Sequence, residues 1–531
     1  MSDDSQEKLG IFGTLLGVQP MDRIGTTSSS PFSGSPTFDE IPFHVEPGCR
    51  PQLGTYAIVK STRPDRVHYG RVTSGTEENP RADPTTLQQN KAYQVGQRQP
   101  RPGDLAPHVT RILTVQVLGE IVADTAGDGY SVDDPKELPA TGQPVYTLGA
   151  GALPKLLNMP TDPNDGINLG KLQSGGTEVD AVLPVDALAR QTTIVGKTGA
   201  GKSYAAGLVV EECKRLEIPV FSFDVLGDLV AATEELDGVN YKAGSADFKI
   251  PYSIIGLSEF ISFVPTLTRE QNEIVAMAYD VVYEEARSEL TDTGSIAIGI
   301  GRLAAMIEQA GVDVGQIPVA GRAKRRVLAA YNRSTILTDE APTWLEAVKT
   351  KPVVNVFVGH LPQRQRNLVV GAAARMLQTL RRQDQVPPFV LILDEAHHFL
   401  PSGGEETPST SVIRELVRTA RHDAIGVVLI SQSPSSMDRQ AFLTCNTRLV
   451  FALDPEDLRL VGGHLADMSE SAIQRIPRMR RGLAVLTSAV DLMRHSIQVE
   501  IRPRKTKAGA PTPNLRNEAA RWRQKNSQRD V

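Results

Sequence analysis

Apolar and polar positions along the chain change period several times. From residue 54 to about 150, short β-like runs alternate with turns: Tyr56-Ala57-Ile58-Val59, Val67-His68-Tyr69-Gly70-Arg71-Val72, Ile112 to Val122, and Gln143-Pro144-Val145-Tyr146-Thr147. Closely spaced short strands with Gly and Pro between them predict a small barrel or sandwich, taken here as a β-barrel over 51–165. From 166 to 255 the order becomes strand, loop, helix, strand. Thr193-Ile194-Val195 is a buried strand. Ser203 to Lys214 is a helix, with Ala205, Leu208, Val209 and Glu212 at helical spacing. The nearly continuous apolar run Ile218 to Asp224 fits a strand covered on both faces of a parallel sheet.

Residues 256–350 read as a helical insertion, with helical periodicity over Glu273–Glu285, Arg302–Gln309 and Ala323–Tyr331. The sheet resumes over 351–500. Strands at Val353–Val358, Phe389–Leu393, Ile425–Ile430 and Arg448–Leu453 alternate with helices at Asn367–Arg382 and around 410–422. This alternation implies right-handed crossovers and an α/β fold with a mostly parallel sheet.

The two ends of the chain look different. Residues 1–50 are rich in Ser, Thr, Gly and Pro, above all from Thr26 to Pro36, and read as a flexible arm. Within it, Ile11 to Val18 has the composition of a strand. Residues 501–531 read as a basic, polar tail with one short helix at most. Across 531 residues the net charge is −5, which argues against a basic coat. It leaves nucleic acid open, because a ring or channel can confine Lys and Arg to one face. Three scattered cysteines, Cys49, Cys213 and Cys445, give no disulfide framework and no zinc pattern. No apolar run of about eighteen residues and no signal pattern occur, so a cytoplasmic protein with no membrane segment is expected.

The chemistry concentrates in Gly196-Lys197-Thr198-Gly199-Ala200-Gly201-Lys202-Ser203, which matches the phosphate-loop pattern G-x-x-x-x-G-K-[ST] between a strand and a helix. The glycines let backbone N–H groups turn toward a polyphosphate at a helix N-terminus. Lys202 reaches the β- and γ-phosphates, and the Ser203 hydroxyl ligates Mg2+. ATP and Mg2+ are the cofactors this pattern calls for. The strand Leu391-Ile392-Leu393 runs into Asp394-Glu395-Ala396-His397. Asp394 is the candidate metal partner and Glu395 the group that activates the hydrolytic water. Gln432, after Ile430-Ser431, is a candidate donor to the γ-phosphate or the attacking water. Arg421 is a candidate arginine finger for a neighbouring subunit, and Arg190 a weaker one; with Arg414 and Arg418 nearby, a solvated basic helix face is the other reading. Asp224, with Gly227 and Asp228, either helps position the metal site or a DNA-facing loop, or simply ends its strand.

This order of motifs resembles the HerA group of hexameric DNA-translocating ATPases, relatives of FtsK-type translocases within the RecA-like class. The resemblance rests on the phosphate loop, Asp-x-x-Gly-Asp, the helical insert, D-E-A-H, Arg421, and Ser431-Gln432 behind a small β-barrel. Leu169-Gly170-Lys171-Leu172 with Val182, Pro184, Val185 and Asp186 resembles that family's lead-in to the loop. It implies a RecA-like P-loop ATPase core working as a homohexameric ring on double-stranded DNA. The implied partner is a NurA-type nuclease in end processing or an effector protein in antiphage defence. Arg322, Lys324, Arg325 and Arg326 are candidate pore-lining cations, though such clusters are more often solvated helix faces. An ATP-switched scaffold that assembles an effector is the alternative from another class. A conjugation-type coupling ATPase at a membrane is a third reading, weakened by the lack of an apolar span.

Overall fold

A computed structural model describes residues 11–29, 34–78, 110–124, 129–174, 177–404, 407, 409–507 and 522. The N-terminal strands are β1 (Arg23–Thr27), β2 (Glu40–Val45), β3 (Tyr56–Lys60), β4 (Arg66–Glu78), β5 (Thr110–Ala123), β6 (Tyr130–Asp133) and β7 (Pro144–Thr147). They run in the order β2-β1-β7-β3-β4-β5, and β2 also pairs antiparallel with β5. Six strands therefore close into a barrel, and β6 extends it from β5.

The barrel explains why Tyr56 to Val59 is apolar at every position. Ala57 and Val59 share the barrel interior with Ile24, Ile41, Phe43, Val72, Val115 and Val145. Tyr56 and Ile58 point the other way, into a core that also contains Ile194, Leu208 and Val428 of the large sheet. Both faces of β3 are covered, so the two-residue period of a half-exposed strand is lost.

The large sheet holds β8 (Gly166–Ser174), β9 (Thr177–Pro184), β10 (Thr192–Val195), β11 (Val220–Asp224), β12 (Val239–Lys242), β15 (Val353–Phe357), β16 (Phe389–Leu393), β17 (Ile425–Ser431), β18 (Thr447–Val450), β19 (Leu483–Thr487) and β20 (Ile497–Ile501). Its order is β12-β15-β11-β16-β17-β10-β18-β19-β20-β8-β9. The pairings from β12 through β18 are parallel, and those beyond β18 are antiparallel. A further parallel pair, β13 (Ile250–Pro251) with β14 (Leu337–Thr338), brackets the helical insertion. The parallel strands carry apolar side chains on both faces, because helices lie on both sides.

Helix α1 (Lys202–Arg215) follows the phosphate loop and buries Ala205, Leu208, Val209 and Glu212, the positions whose spacing predicts it. The insertion is built on α2 (Arg269–Thr293), α3 (Ile300–Asp313) and α4 (Ile317–Arg333). Thr268 caps α2 reciprocally with Gln271, and Gly294 ends it in the left-handed conformation at φ 73°. The inner stripe of α2, from Ile274 and Ala278 to Val282, Ala286 and Leu290, joins one apolar core with Phe221, Phe223, Val354 and Val356 of the sheet. The insertion is thus packed onto the sheet. Helices α5 (Gln363–Arg382) and α6 (Thr410–Thr419) complete that face.

Three expectations need correction. The first fifty residues are not an arm throughout, since β1 and β2 belong to the barrel. Their inward apolar residues, Ile24, Ile41 and Phe43, are few and diluted by turn-forming neighbours. Ile11–Leu15 is a short helix, with Phe12 and Leu16 buried one turn apart. Beyond β20, residues 502–507 are not a free tail but are packed on α1. Residues 1–10 and, apart from Trp522, 508–531 lie outside the described residues, as do Glu405, Glu406 and Pro408 of the loop after the D-E-A-H run.

Candidate functional site

The phosphate loop leaves β10 at the carboxyl edge of the sheet. It is anchored on both neighbours: Gly196 N donates to Ser431 O at 3.4 Å and Lys197 N to Ala452 O at 2.8 Å. Gly199 and Gly201 take φ 80° and 125°, which side-chain-bearing residues rarely adopt, so the loop's tight curl needs glycine there. Lys202 opens α1 and is buried, and its Nζ reaches back to the Lys197 carbonyl at 3.4 Å.

The neighbouring strands deliver the acids. Asp394 follows β16, and its backbone N–H donates to Phe223 O of β11 at 3.0 Å. Burial pushes the Asp394 carboxyl up to about 8, and the nearby Asp224, Glu395 and Asp228 push the same way. Lys202 responds oppositely: burial lowers its pKa, while Glu395, Asp394 and Asp228 support its charge. Glu395 occupies the left-handed region at φ 47°, a conformation that costs a non-glycine residue about 1–2 kcal/mol. The surrounding bonds hold it there: its carbonyl accepts from His398 N at 2.9 Å, and its Oε1 accepts from Gln432 Nε2 at 2.8 Å. His397 Nδ1 stands 3.3 Å from Glu395 Oε2 without hydrogen-bond geometry.

Gln432 links the loop to the acid pair. Its Oε1 accepts from Thr198 Oγ1 at 3.0 Å while its Nε2 donates to Glu395. One amide therefore registers both the phosphate loop and the acid after β16. Asp224 is fully buried, and its oxygens accept from the backbone N–H groups of Leu226, Gly227, Asp228 and Leu229. It folds the loop that places Asp228 near Lys202 and Asp394.

The donor set suits a hard divalent cation. Among the described residues no group of three or more His, Cys, Asp or Glu side chains has the geometry to hold a metal by itself. A buried acid crowded by other acids, with the Ser203 hydroxyl in the first turn of α1, matches the way magnesium takes few protein ligands and fills its shell with water and phosphate oxygens.

Arg421 is not part of this gathering. It lies in the turn Ala420–Asp423 before β17, so the seven residues of β17 put it at the opposite sheet edge, roughly 20 Å away. The turn is pinned from below by Asp423, which accepts from Gln378 Nε2 at 2.8 Å and from Arg382 Nε at 3.1 Å. Arg421 itself is exposed. Arg190 occupies the same edge and pairs with Asp491. Of the other cations on α6, Arg414 pairs with Asp438 at 3.0 Å and Arg418 lies 3.6 Å from Glu415. In the insertion, Lys324 pairs with Glu308, and Arg326 bonds Gln271 and the Thr266 carbonyl. Arg322 and Arg325 are exposed.

Sequence reasoning missed the segment lying over the phosphate loop. Lys197 Nζ donates to Pro477 O at 3.1 Å, and Gly482 N donates to Ala200 O at 3.1 Å. The available signal was Gly482 before the apolar run Leu483 to Thr487, a turn leading into a strand. The same segment continues toward the barrel. Arg71 of β4 donates to Ser496 O at 3.0 Å, Gln116 of β5 to Asp467 O at 3.3 Å, and Tyr69 meets His495 at 2.7 Å.

A family model described as the helicase HerA central domain matches residues 167–377. A probable helicase of Methanocaldococcus jannaschii is 22% identical over 390 residues, covering 70% of this chain and 73% of that protein. The DNA double-strand break repair helicase HerA of Sulfurisphaera tokodaii is 21% identical over 394 residues, covering 71% of this chain and 76% of that one. Among solved structures, VirB4 of Thermoanaerobacter pseudethanolicus has a TM-score of 0.49 and 18% identity, covering 64% of this chain and 97% of that chain. The matched central domain takes in the phosphate loop, the Asp224 strand, the insertion and most of α5. The chain is thus similar to the HerA helicases across its central domain, and these relatives indicate a P-loop enzyme that hydrolyses ATP.

Proposed function

We propose that this ATPase is a motor that moves double-stranded DNA through a homohexameric ring. The observation that carries this reading is the division of candidate residues between the two sheet edges. Lys202, Ser203, Asp394, Glu395 and Gln432 meet at one edge, while exposed Arg421 stands at the other. An arginine so placed serves a neighbour's nucleotide when subunits stack around a ring. Relatives named as DNA double-strand break repair helicases support DNA as the track.

In this assignment the loop residues Gly196 to Ser203 cradle the phosphates of ATP. Lys202 neutralises charge growing on the β- and γ-oxygens. Glu395 orients a water and takes its proton as the oxygen attacks the γ-phosphorus in line with the leaving ADP oxygen. Gln432 holds Glu395 on one side and senses the loop through Thr198 on the other. A magnesium ion held by the Ser203 hydroxyl and Asp394 would neutralise phosphate charge. Arg421 of one subunit stabilises the transition state in the next. The setting is the cytoplasm, with a NurA-type nuclease in end processing or a defence effector as partner. Among the described residues no helix is long and apolar enough to cross a membrane.

A second reading, an ATP-switched scaffold, has its own support. The barrel is bonded to residues 467–496, whose middle, Pro477 to Gly482, lies on the phosphate loop. A protein docked on the barrel would be coupled to nucleotide state through that segment. The deciding experiment is the ATPase rate with and without linear duplex DNA, with particle mass read by light scattering. DNA-stimulated turnover from a particle of six protomers supports the motor. Turnover indifferent to DNA defeats it and favours the scaffold.

A further inference from the structure

Helix α1 carries Lys202 and Ser203 at its first turn, and its outer flank holds two buried acids, Glu211 and Glu212. Those acids are engaged by a strap, Arg502 to Lys507, that leaves β20 and crosses the helix. Arg502 Nη2 donates to Glu212 Oε1 at 2.7 Å, and its Nε donates to Asn168 O at 3.1 Å. Thr506 donates to Glu211 Oε1 from its backbone N at 2.7 Å. Lys507 closes the strap on Glu235, its backbone N reaching Oε2 at 2.7 Å.

Arg504 sits at the centre of this clamp. Its side chain is 1% exposed, and its guanidinium lies 5.5 Å from the centre of the Tyr204 ring. Its backbone N donates to the Tyr204 hydroxyl at 2.6 Å, and Nη2 donates to the Thr506 hydroxyl and to the Lys507 carbonyl. The helix makes room for it at one place, Gly207. A Cβ there would fall 2.3 Å from the guanidinium carbon. Tyr204 immediately follows Ser203, so the guanidinium leans on the turn that presents both phosphate-loop ligands.

We propose that Arg504 is a positioning residue for nucleotide binding: the strap it centres fixes α1 on the sheet and so sets Lys202 and Ser203 against Asp394. The physical ground is that the strap fastens α1 at two places about two turns apart, Tyr204 in the first turn and the adjacent Glu211 and Glu212 further on. Released from it, the helix can shift by a fraction of a turn and carry Lys202 and Ser203 away from where the phosphates would meet them. The proposal rests on Lys202 and Ser203 being nucleotide ligands.

The test compares the full-length protein with Arg504→Ala, Arg504→Lys and Gly207→Ala, reading KM and kcat for ATP, the affinity for a fluorescent ATP analogue, and thermal unfolding. Arg504→Ala is expected to raise KM and weaken analogue binding by about fivefold to tenfold, with kcat at saturation within about twofold. Gly207→Ala, which displaces the guanidinium while leaving every strap residue in the sequence unchanged, is expected to act in the same direction. Arg504→Lys keeps a cation for Glu211 and recovers part of the loss. Lys202→Ala serves as the control for the underlying assignment. If it binds the analogue normally, that assignment fails. If Lys202→Ala loses binding while Arg504→Ala and Gly207→Ala keep KM within about twofold, the strap has no positioning role. Equal falls in kcat with KM unchanged also overturn the proposal. Should Arg504→Ala fail to fold, Gly207→Ala and Arg504→Lys carry the decision.

Discussion

The two edges of the parallel sheet are made from the same strands yet differ in kind. At the carboxyl edge, Gln432 bonds Glu395 to Thr198 of the loop, buried Lys202 and Asp394 lie close enough to feel each other's charge, and even a left-handed Glu395 is held in place. At the amino edge, Arg421 projects from a turn whose neighbours Asp423 and Ala420 are anchored while it stays exposed. On the proposed ring reading, groups that act within their own subunit are fastened to partners there, while Arg421, proposed to act on the next subunit, is presented on a rigid base.

The sharpest way to break this contrast is to remove one residue from each edge. Lys202→Ala is expected to abolish nucleotide binding and hydrolysis in any assembly, as isothermal titration and a phosphate-release assay would show; normal turnover would end the assignment. Arg421→Ala should keep ATP binding and lose about a thousandfold in turnover. Mixing it with Glu395→Gln subunits should restore activity at interfaces where an intact Arg421 meets an intact Glu395. No recovery would return Arg421 to being a surface charge.

Glu395→Gln should bind ATP and hydrolyse it about a hundredfold to ten-thousandfold more slowly, the range for a lost general base. Gln432→Ala should cost less, about a hundredfold. A full rate there would mean that the bridge Gln432 makes between Thr198 and Glu395 is not used. The smallest effect is on stability and concerns Asp394. Its folded carboxyl titrates near 8, above its ordinary value, so the stability it contributes is complete below about pH 4 and is lost as pH rises through 8. Asp394→Asn should therefore flatten the pH dependence of nucleotide-free unfolding and gain a few degrees at pH 8 by calorimetry, while abolishing hydrolysis. An unchanged slope would remove Asp394 as its source.

Much of the carboxyl edge was legible because its chemistry is contiguous. Gly196 to Ser203 and Asp394-Glu395 are short runs placed by a strand before them, and the strand is legible from its apolar content. The bonds that join the runs were not. Nothing local to Gln432 says that it touches both Thr198 and Glu395, since those contacts depend on β17 lying beside β10 and β16. Arg421 was legible as a residue type at a strand's entrance, and its exposed place at the amino edge fits both the arginine-finger and the solvated-face reading. The barrel's first two strands were hidden because Ile24, Ile41 and Phe43 supply few apolar signals among turn-formers. The strap escaped notice for the opposite reason: Arg502, Arg504 and Lys507 look like solvated charge until buried Glu211 and Glu212 meet them.

The placement of β10 bears on how the chain reaches its native state at all. Thr192, at the start of the strand that leads into the phosphate loop, is bracketed by Val428 on one side and Thr447 on the other. During synthesis at about 5–20 residues per second, that strand waits roughly ten to fifty seconds for both neighbours to emerge. Until then its apolar residues lack the sheet that covers them, and pairing over such long separations is slow. Production of this protein should therefore be limited by chaperone capacity and growth temperature more than by the stability of the finished fold.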